Sequence, residues 1–179
     1  YKRHIEILTN AGVMEDSTKI WWDIRPSAKY PTLETRIMDV CTRIDDAISL
    51  AALVVSTLRA LYRLRMKNQR WRDYSSMLIR ENRWRAMRYS FDEGLIDFGK
   101  GSIVPFEELL DEFIEISIED AKTLGCDKEV MATKNILKRG TSAHRQLKTY
   151  ELSIAAGKNK DEALNDVVDM LINETAADL

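Results

Sequence analysis

Two short charged patterns stand out near the start of the chain. Asp23 and Arg25 lie two positions apart, and so do Glu34 and Arg36. In extended backbone, side chains at i and i+2 point to the same face, so each segment projects a carboxylate and a guanidinium together. If the two segments pair, both sets can share one sheet face. A carboxylate there can hold Mg²⁺ through its oxygens, and the arginines can take phosphate oxygens bidentately. That combination neutralises charge on a transferring phosphoryl group, as a nucleotide-dependent ligase requires. Spacing alone favours the plainer arrangement, two cross-strand salt bridges on a solvated face.

A second candidate lies in residues 59–88, which hold ten basic residues against Asp73 and Glu81, with Trp71, Tyr74 and Trp84 interleaved. Basic residues among aromatics can form a nucleic-acid surface. Residues 92–129, however, carry twelve acids against three lysines. Two oppositely charged helical stretches are more simply explained by mutual packing and solvated faces, so nucleic acid is not an expected partner. Asn82, Arg85 and Tyr89 fall on one helical face, with Arg88 one turn on from Arg85. Asn82, Arg85 and Arg88 are expected either to bind an anionic substrate or nucleotide, or to bridge to acidic helices. His144 reads as a residue beside a helix start rather than a catalyst. Cys41 and Cys126 have neither metal-ligand spacing nor the partners that nucleophilic catalysis needs.

The elements that must position these residues follow from periodicity. A short helix over 1–12 closes at Gly12. Residues 20–25 and 32–39 alternate with a period of two, as half-buried strands do, and the segment between them, with Pro26 and Pro31, is a loop joining an antiparallel pair. Trp21 and Trp22 are expected to anchor the first strand by packing. Beyond them the chain reads as helical. A long helix runs from Asp45 and Asp46 to about Lys67, with an apolar middle expected to lie deep. Another spans 71–89. After a glycine-containing loop (Gly94, Gly99, Gly101), Pro105 starts an amphipathic helix that Gly125 closes. Three shorter helices end at Gly140, at Gly157 and at the C-terminus. The fold class is α+β: an antiparallel strand pair and about six helices. An isolated strand pair is marginal in water, so this one calls for partner strands in a larger sheet.

Composition narrows the partners. Of the 179 residues, 45% are hydrophobic and 31% charged, with a net charge of −2, so nothing pulls the chain toward nucleic acid or an anionic membrane. The longest apolar stretch, 47–58, is interrupted by Ser49, Ser56 and Thr57, where a membrane span needs ~20 apolar residues. Two cysteines do not make a disulfide framework, which fits a reducing cytoplasm. The chain opens on Tyr1 without a signal peptide, as a segment lacking its front would. No heptad pattern demands a coiled-coil partner, although apolar helix faces would allow a homodimer.

Three segments carry a resemblance. Trp21-Trp22-Asp23-Ile24-Arg25-Pro26-Ser27 followed by Pro31-Thr32-Leu33-Glu34-Thr35-Arg36-Ile37-Met38-Asp39 resembles a motif of the glutamate–cysteine ligase type 2 family. Glu81-Asn82-Arg83-Trp84-Arg85-Ala86-Met87-Arg88-Tyr89 is similar to a later motif of that family, with Ser90 where the family usually has Gly. Gly140-Thr141-Ser142-Ala143-His144-Arg145-Gln146 resembles its last turn. The resemblance implies one domain, 1–179, forming the C-terminal portion of a catalytic domain whose sheet is of the glutamine-synthetase-like sort. It implies ATP and Mg²⁺ as cofactors, and a γ-glutamyl phosphate attacked by an amine such as cysteine. By this likeness Glu34 is a metal ligand, and Arg25 and Arg36 are the catalytic pair. Asp23, Arg25, Arg36, Asn82, Arg85, Arg88 and Arg145 are the residues expected to bind ATP or substrate. The other metal ligands would come from the N-terminal half of the same enzyme, so the segment alone is expected to be inactive. A rival expectation is a helical module without catalysis that pairs with another chain.

Overall fold

A computed structural model describes residues 1–177. Backbone packing divides the chain into two compact units, residues 1–40 and 41–179.

The first unit opens with α1 (Lys2–Asn10), ends it at a left-handed Gly12, and turns through a 3-10 segment, Ser17–Lys19. Asp16 caps that segment, its carboxylate accepting from the Thr18 N–H at 2.6 Å. Strands β1 (Ile24–Pro26) and β2 (Leu33–Thr35) pair antiparallel, with Ile24 opposite Thr35, Arg25 opposite Glu34 and Pro26 opposite Leu33. The pair is shorter than the alternation at 20–25 and 32–39 suggests. Its ladder is extended only by Arg36 N–H to the Asp23 carbonyl (2.7 Å) and Ser27 N–H to the Thr32 carbonyl (2.9 Å). Among the described residues these two strands form a two-stranded sheet of their own. Ile24, Leu33 and Ile37 are left exposed.

The second unit is built on three helices. Helix α2 (Ile44–Met66) packs along α4 (Phe106–Leu124) and across α5 (Asp127–Ala132). Its buried residues are Asp46, Ser49, Ala52, Ser56 and Ala60, a stripe of small side chains at helical spacing that allows close backbone approach. Against it, Ala52 joins Leu110, Ile114, Ala121 and Val130 in the core. The expectation that the apolar middle of α2 lies deep is therefore corrected: Ile48 and Val55 on its other face are nearly half exposed. By length and composition α2 is apolar enough to cross a bilayer, yet its packed face carries charge that is met by Asp120 of α4. Arg59 Nη1 donates to Asp120 Oδ1 at 2.6 Å, and Arg63 Nη2 to Oδ2 at 2.9 Å.

Helix α3 (Ser76–Tyr89) begins later than the expected residue 71, because Ser75 caps it by accepting from the Met77 N–H. The loop expected around Gly94, Gly99 and Gly101 is instead a second hairpin. Strand β3 (Leu95–Asp97) pairs with β4 (Ser102–Val104), with Ile96 opposite Ile103. Asp97 Oδ1 organises the turn by accepting from the Gly99 and Lys100 N–H groups at 2.7 and 3.0 Å. Gly94 has φ +66°, and a Cβ there would stand 2.2 Å from the Val104 carbonyl oxygen, so only glycine fits. The helical stretch before Gly140 is two helices, α5 and α6 (Lys134–Arg139). They break at buried Thr133, whose hydroxyl donates to the Val130 carbonyl at 2.6 Å. The chain closes with a helical hairpin, α7 (Ser142–Ala155) and α8 (Lys160–Ala176).

Candidate functional site

In the first unit, register decides the site. Because Arg25 stands opposite Glu34, their side chains leave the same face of the hairpin. Arg25 Nε donates to Glu34 Oε2 at 2.7 Å, while its Nη1 donates to the carbonyls of Thr18 (2.8 Å) and Ile20 (2.6 Å). Arg36 Nη2 meets the other oxygen, Glu34 Oε1, at 2.7 Å. One carboxylate is thus held between two guanidiniums. Hydrogen bonding from Arg25, followed by that from Arg36, keeps the Glu34 carboxyl below its usual range. Arg36 also lies 5.0 Å over the Trp21 ring, and its Nε is buried with no acceptor. Trp21 itself is 78% exposed and anchors no core, in contrast to the expectation for it. Trp22 does pack, edge-on to Tyr1 and His4. Asp23 contributes its backbone carbonyl to Arg36 N–H.

The donor chemistry of this bracket suits an anion. Two guanidiniums share one carboxylate, and one buried N–H is left without an acceptor, so a phosphate or carboxylate oxygen would find donors ready. A divalent cation fits poorly at Glu34 as it stands, because both carboxylate oxygens already face arginines. Among the described residues no group of three or more His, Cys, Asp or Glu is placed to hold a metal ion.

In the second unit, the basic face of α3 proves to be occupied. Asn82 accepts from the Ile96 N–H at 2.8 Å and donates to the Ile96 carbonyl at 2.9 Å, spending its amide on β3. Arg85 donates to the carbonyls of Glu93 (2.9 Å) and Gly94 (3.3 Å). Both therefore clamp the second hairpin to α3. Arg85 and Arg88 stack near the Tyr89 ring at 5.6 and 5.7 Å. Arg145, on α7, is committed as well. It grips Glu174 of α8 through two bonds (2.6 and 2.9 Å) and donates to the Gly140 carbonyl at 2.6 Å and to Thr42 Oγ1 at 3.2 Å. The Arg145 hydrogen bonds are the main cause of a lowered Glu174 pKa. His144 is the N3 residue of a capping box at the start of α7: its Nδ1 faces the Thr141 N–H at 3.2 Å, its Nε2 meets Asp92 at 3.2 Å, and its ring stacks on Phe91.

The Asp120 bracket was invisible in the sequence, because Arg59 and Arg63 are some sixty residues from their partner. The second hairpin had a readable signal: Leu95-Ile96-Asp97 and Ser102-Ile103-Val104 flank a Gly-containing turn.

The first hairpin thus presents two arginines bracketing one carboxylate. Comparison with known proteins gives the family. The family model Glutamate-cysteine ligase family 2 (GCS2) matches residues 1–170, and the chain belongs to that family. Three relatives are each named "Putative glutamate–cysteine ligase 2". The protein from Rhodospirillum rubrum is 57% identical over all 179 residues, which cover 46% of its own length. The one from Paracoccus denitrificans is 47% identical across the whole chain and 48% of its length. The one from Jannaschia sp. is 49% identical across the whole chain and 47% of its length. The chain thus spans about half the length of the curated relatives it matches.

Proposed function

We propose that the protein containing this chain is an ATP-dependent carboxylate–amine ligase that joins the γ-carboxylate of glutamate to an amine, with cysteine as the acceptor. A γ-carboxylate oxygen attacks the terminal phosphorus of ATP, giving an acyl phosphate and ADP. The amine then attacks the acyl carbon, the C–N bond forms, and phosphate leaves.

The Arg25–Glu34–Arg36 bracket carries this reading for the chain itself, because it lies inside the family match and its free hydrogen-bonding capacity is for anions. Arg25 and Arg36 would hold oxygens of the transferring phosphoryl group. Glu34 is then a positioning residue that fixes both guanidiniums, and contact of its carboxylate with Mg²⁺ would require one arginine to let go. Asp23, Asn82, Arg85, Arg88 and Arg145 are reassigned in this reading from substrate contacts to framework within their own units. The rest of the protein would supply the remaining nucleotide and metal contacts.

The test is ADP release by the full-length protein with ATP, Mg²⁺ and glutamate, with and without cysteine. Cysteine-dependent release supports the ligase and its acceptor together. Release with a different amine keeps the ligase and changes the acceptor. No release with any amine sinks the ligase reading and favours a module that pairs with another chain.

A further inference from the structure

The second unit holds a cavity of about 460 Å³ that none of the proposed chemistry uses, within the size range of small-molecule pockets. Its lining includes Leu53 of α2, Phe106, Leu110 and Phe113 of α4, and the aromatic residues Trp71, Tyr74 and Phe98, the last two with ring centroids 5.0 Å apart.

The polar part of the lining selects among ligands. Asn82 reaches the cavity, with one of its amide N–H groups and its carbonyl oxygen engaged at Ile96. The charged part of the lining is carboxylate. Asp97 is held by the N–H groups of its own turn and faces Lys100 at 3.7 Å. Glu112 of α4 lines the cavity and makes no hydrogen bond or ion pair among the described residues. Lys100 and Arg72, the basic residues at the 97–101 turn, are not part of the lining. Aromatic faces and a carboxylate both attract cations and disfavour phosphate or carboxylate ligands.

We propose that this cavity binds an amphipathic ammonium ion, its apolar body lying among the rings of Tyr74, Phe98 and Phe113 and its charged end turned toward Glu112. The apolar body leaves water for the aromatic rings, while the ammonium stays beside Glu112, which is exposed, so the cost of desolvating charge is small. The proposal stands on the lining of the cavity and does not depend on the ligase reading.

Its test is calorimetric titration of the full-length protein with three isosteres: 2-phenylethylammonium, 2-phenylethanol and 3-phenylpropionate. Saturable binding of the ammonium is expected, roughly tenfold tighter than the alcohol, as a charge-assisted contact gives, with the carboxylate weakest. Glu112→Gln, a change at an exposed position that leaves the core intact, should bring the ammonium down to the affinity of the alcohol. Phe113→Ala should weaken the ammonium and the alcohol together. Three results would each overturn the proposal: no saturable binding of the ammonium at millimolar concentration, equal binding of the carboxylate, or a preference for the cation that survives Glu112→Gln.

Discussion

The two units each contain one carboxylate gripped by two arginines, and the settings could hardly differ more. Asp120 is 1% exposed at the side chain and lies in the contact between α2 and α4, with Arg59 and Arg63 reaching it from one helix turn apart. Glu34 is 39% exposed, on a hairpin of three-residue strands with almost no core around it. A buried carboxylate without donors would be costly, so the Asp120 bracket is what permits α2 and α4 to approach with a charge between them. The Glu34 bracket has no such burden. Exposed ion pairs contribute little to stability, and here the arrangement leaves a buried Arg36 Nε unsatisfied. One motif, in two settings, serves structure in the helical unit and is free to serve chemistry in the hairpin.

That contrast can be broken by substitution in the full-length protein, followed by urea unfolding. Ile114→Ala, in the core beside the Asp120 bracket, should cost the most, about 3 kcal/mol, from lost burial and the cavity left behind. Asp120→Ala should cost roughly 2 kcal/mol, less than a fully buried pair would, because both arginines can turn to solvent. The same bracket sets a pH dependence. Hydrogen bonding from Arg63, the largest cause, lowers the Asp120 pKa from 3.8. Its stabilisation is therefore complete above about pH 4 and is lost as pH falls below that through the folded-state value. Asp120→Asn should flatten the acid limb of a stability–pH curve, and an unchanged slope would remove Asp120 from the account. Asn82→Ala, which frees two bonds to β3, should cost about 1–2 kcal/mol and speed amide exchange at Ile96. Glu34→Gln should leave the unfolding midpoint where it is. A large shift would make the two brackets alike and both structural.

Much of this was legible because local patterns and local structure agreed. Pro105 and Gly125 bound α4 as expected, and the loop between Pro26 and Pro31 joins an antiparallel pair. The pairing of Arg25 with Glu34 could be guessed from alternation, but not that both arginines would converge on one carboxylate, which depends on a one-residue register. The face of α3 shows the opposite problem. Asn82 and Arg85 line up at helical spacing as ligand-binding residues would, yet their partners are backbone groups in and just before the second hairpin, whose signal lies in the Gly-containing turn at 97–101 and not on the helix. The depth of α2 was overestimated because hydrophobicity marks which residues can be buried. It does not say which face a neighbour will cover, and here the covered face is the small-residue stripe.

The most direct measurement compares cysteine-dependent ADP release by the full-length protein with that of its Glu34→Gln and Asp120→Asn variants at a temperature where all three are folded. We expect Glu34→Gln to lose about a hundredfold in turnover, because freeing Arg25 and Arg36 from their fixed geometry weakens their organised contacts to transition-state charge, while Asp120→Asn stays near the parent value. Near-normal turnover in Glu34→Gln, or equal losses in the two variants, would contradict the assignment of the hairpin bracket to chemistry.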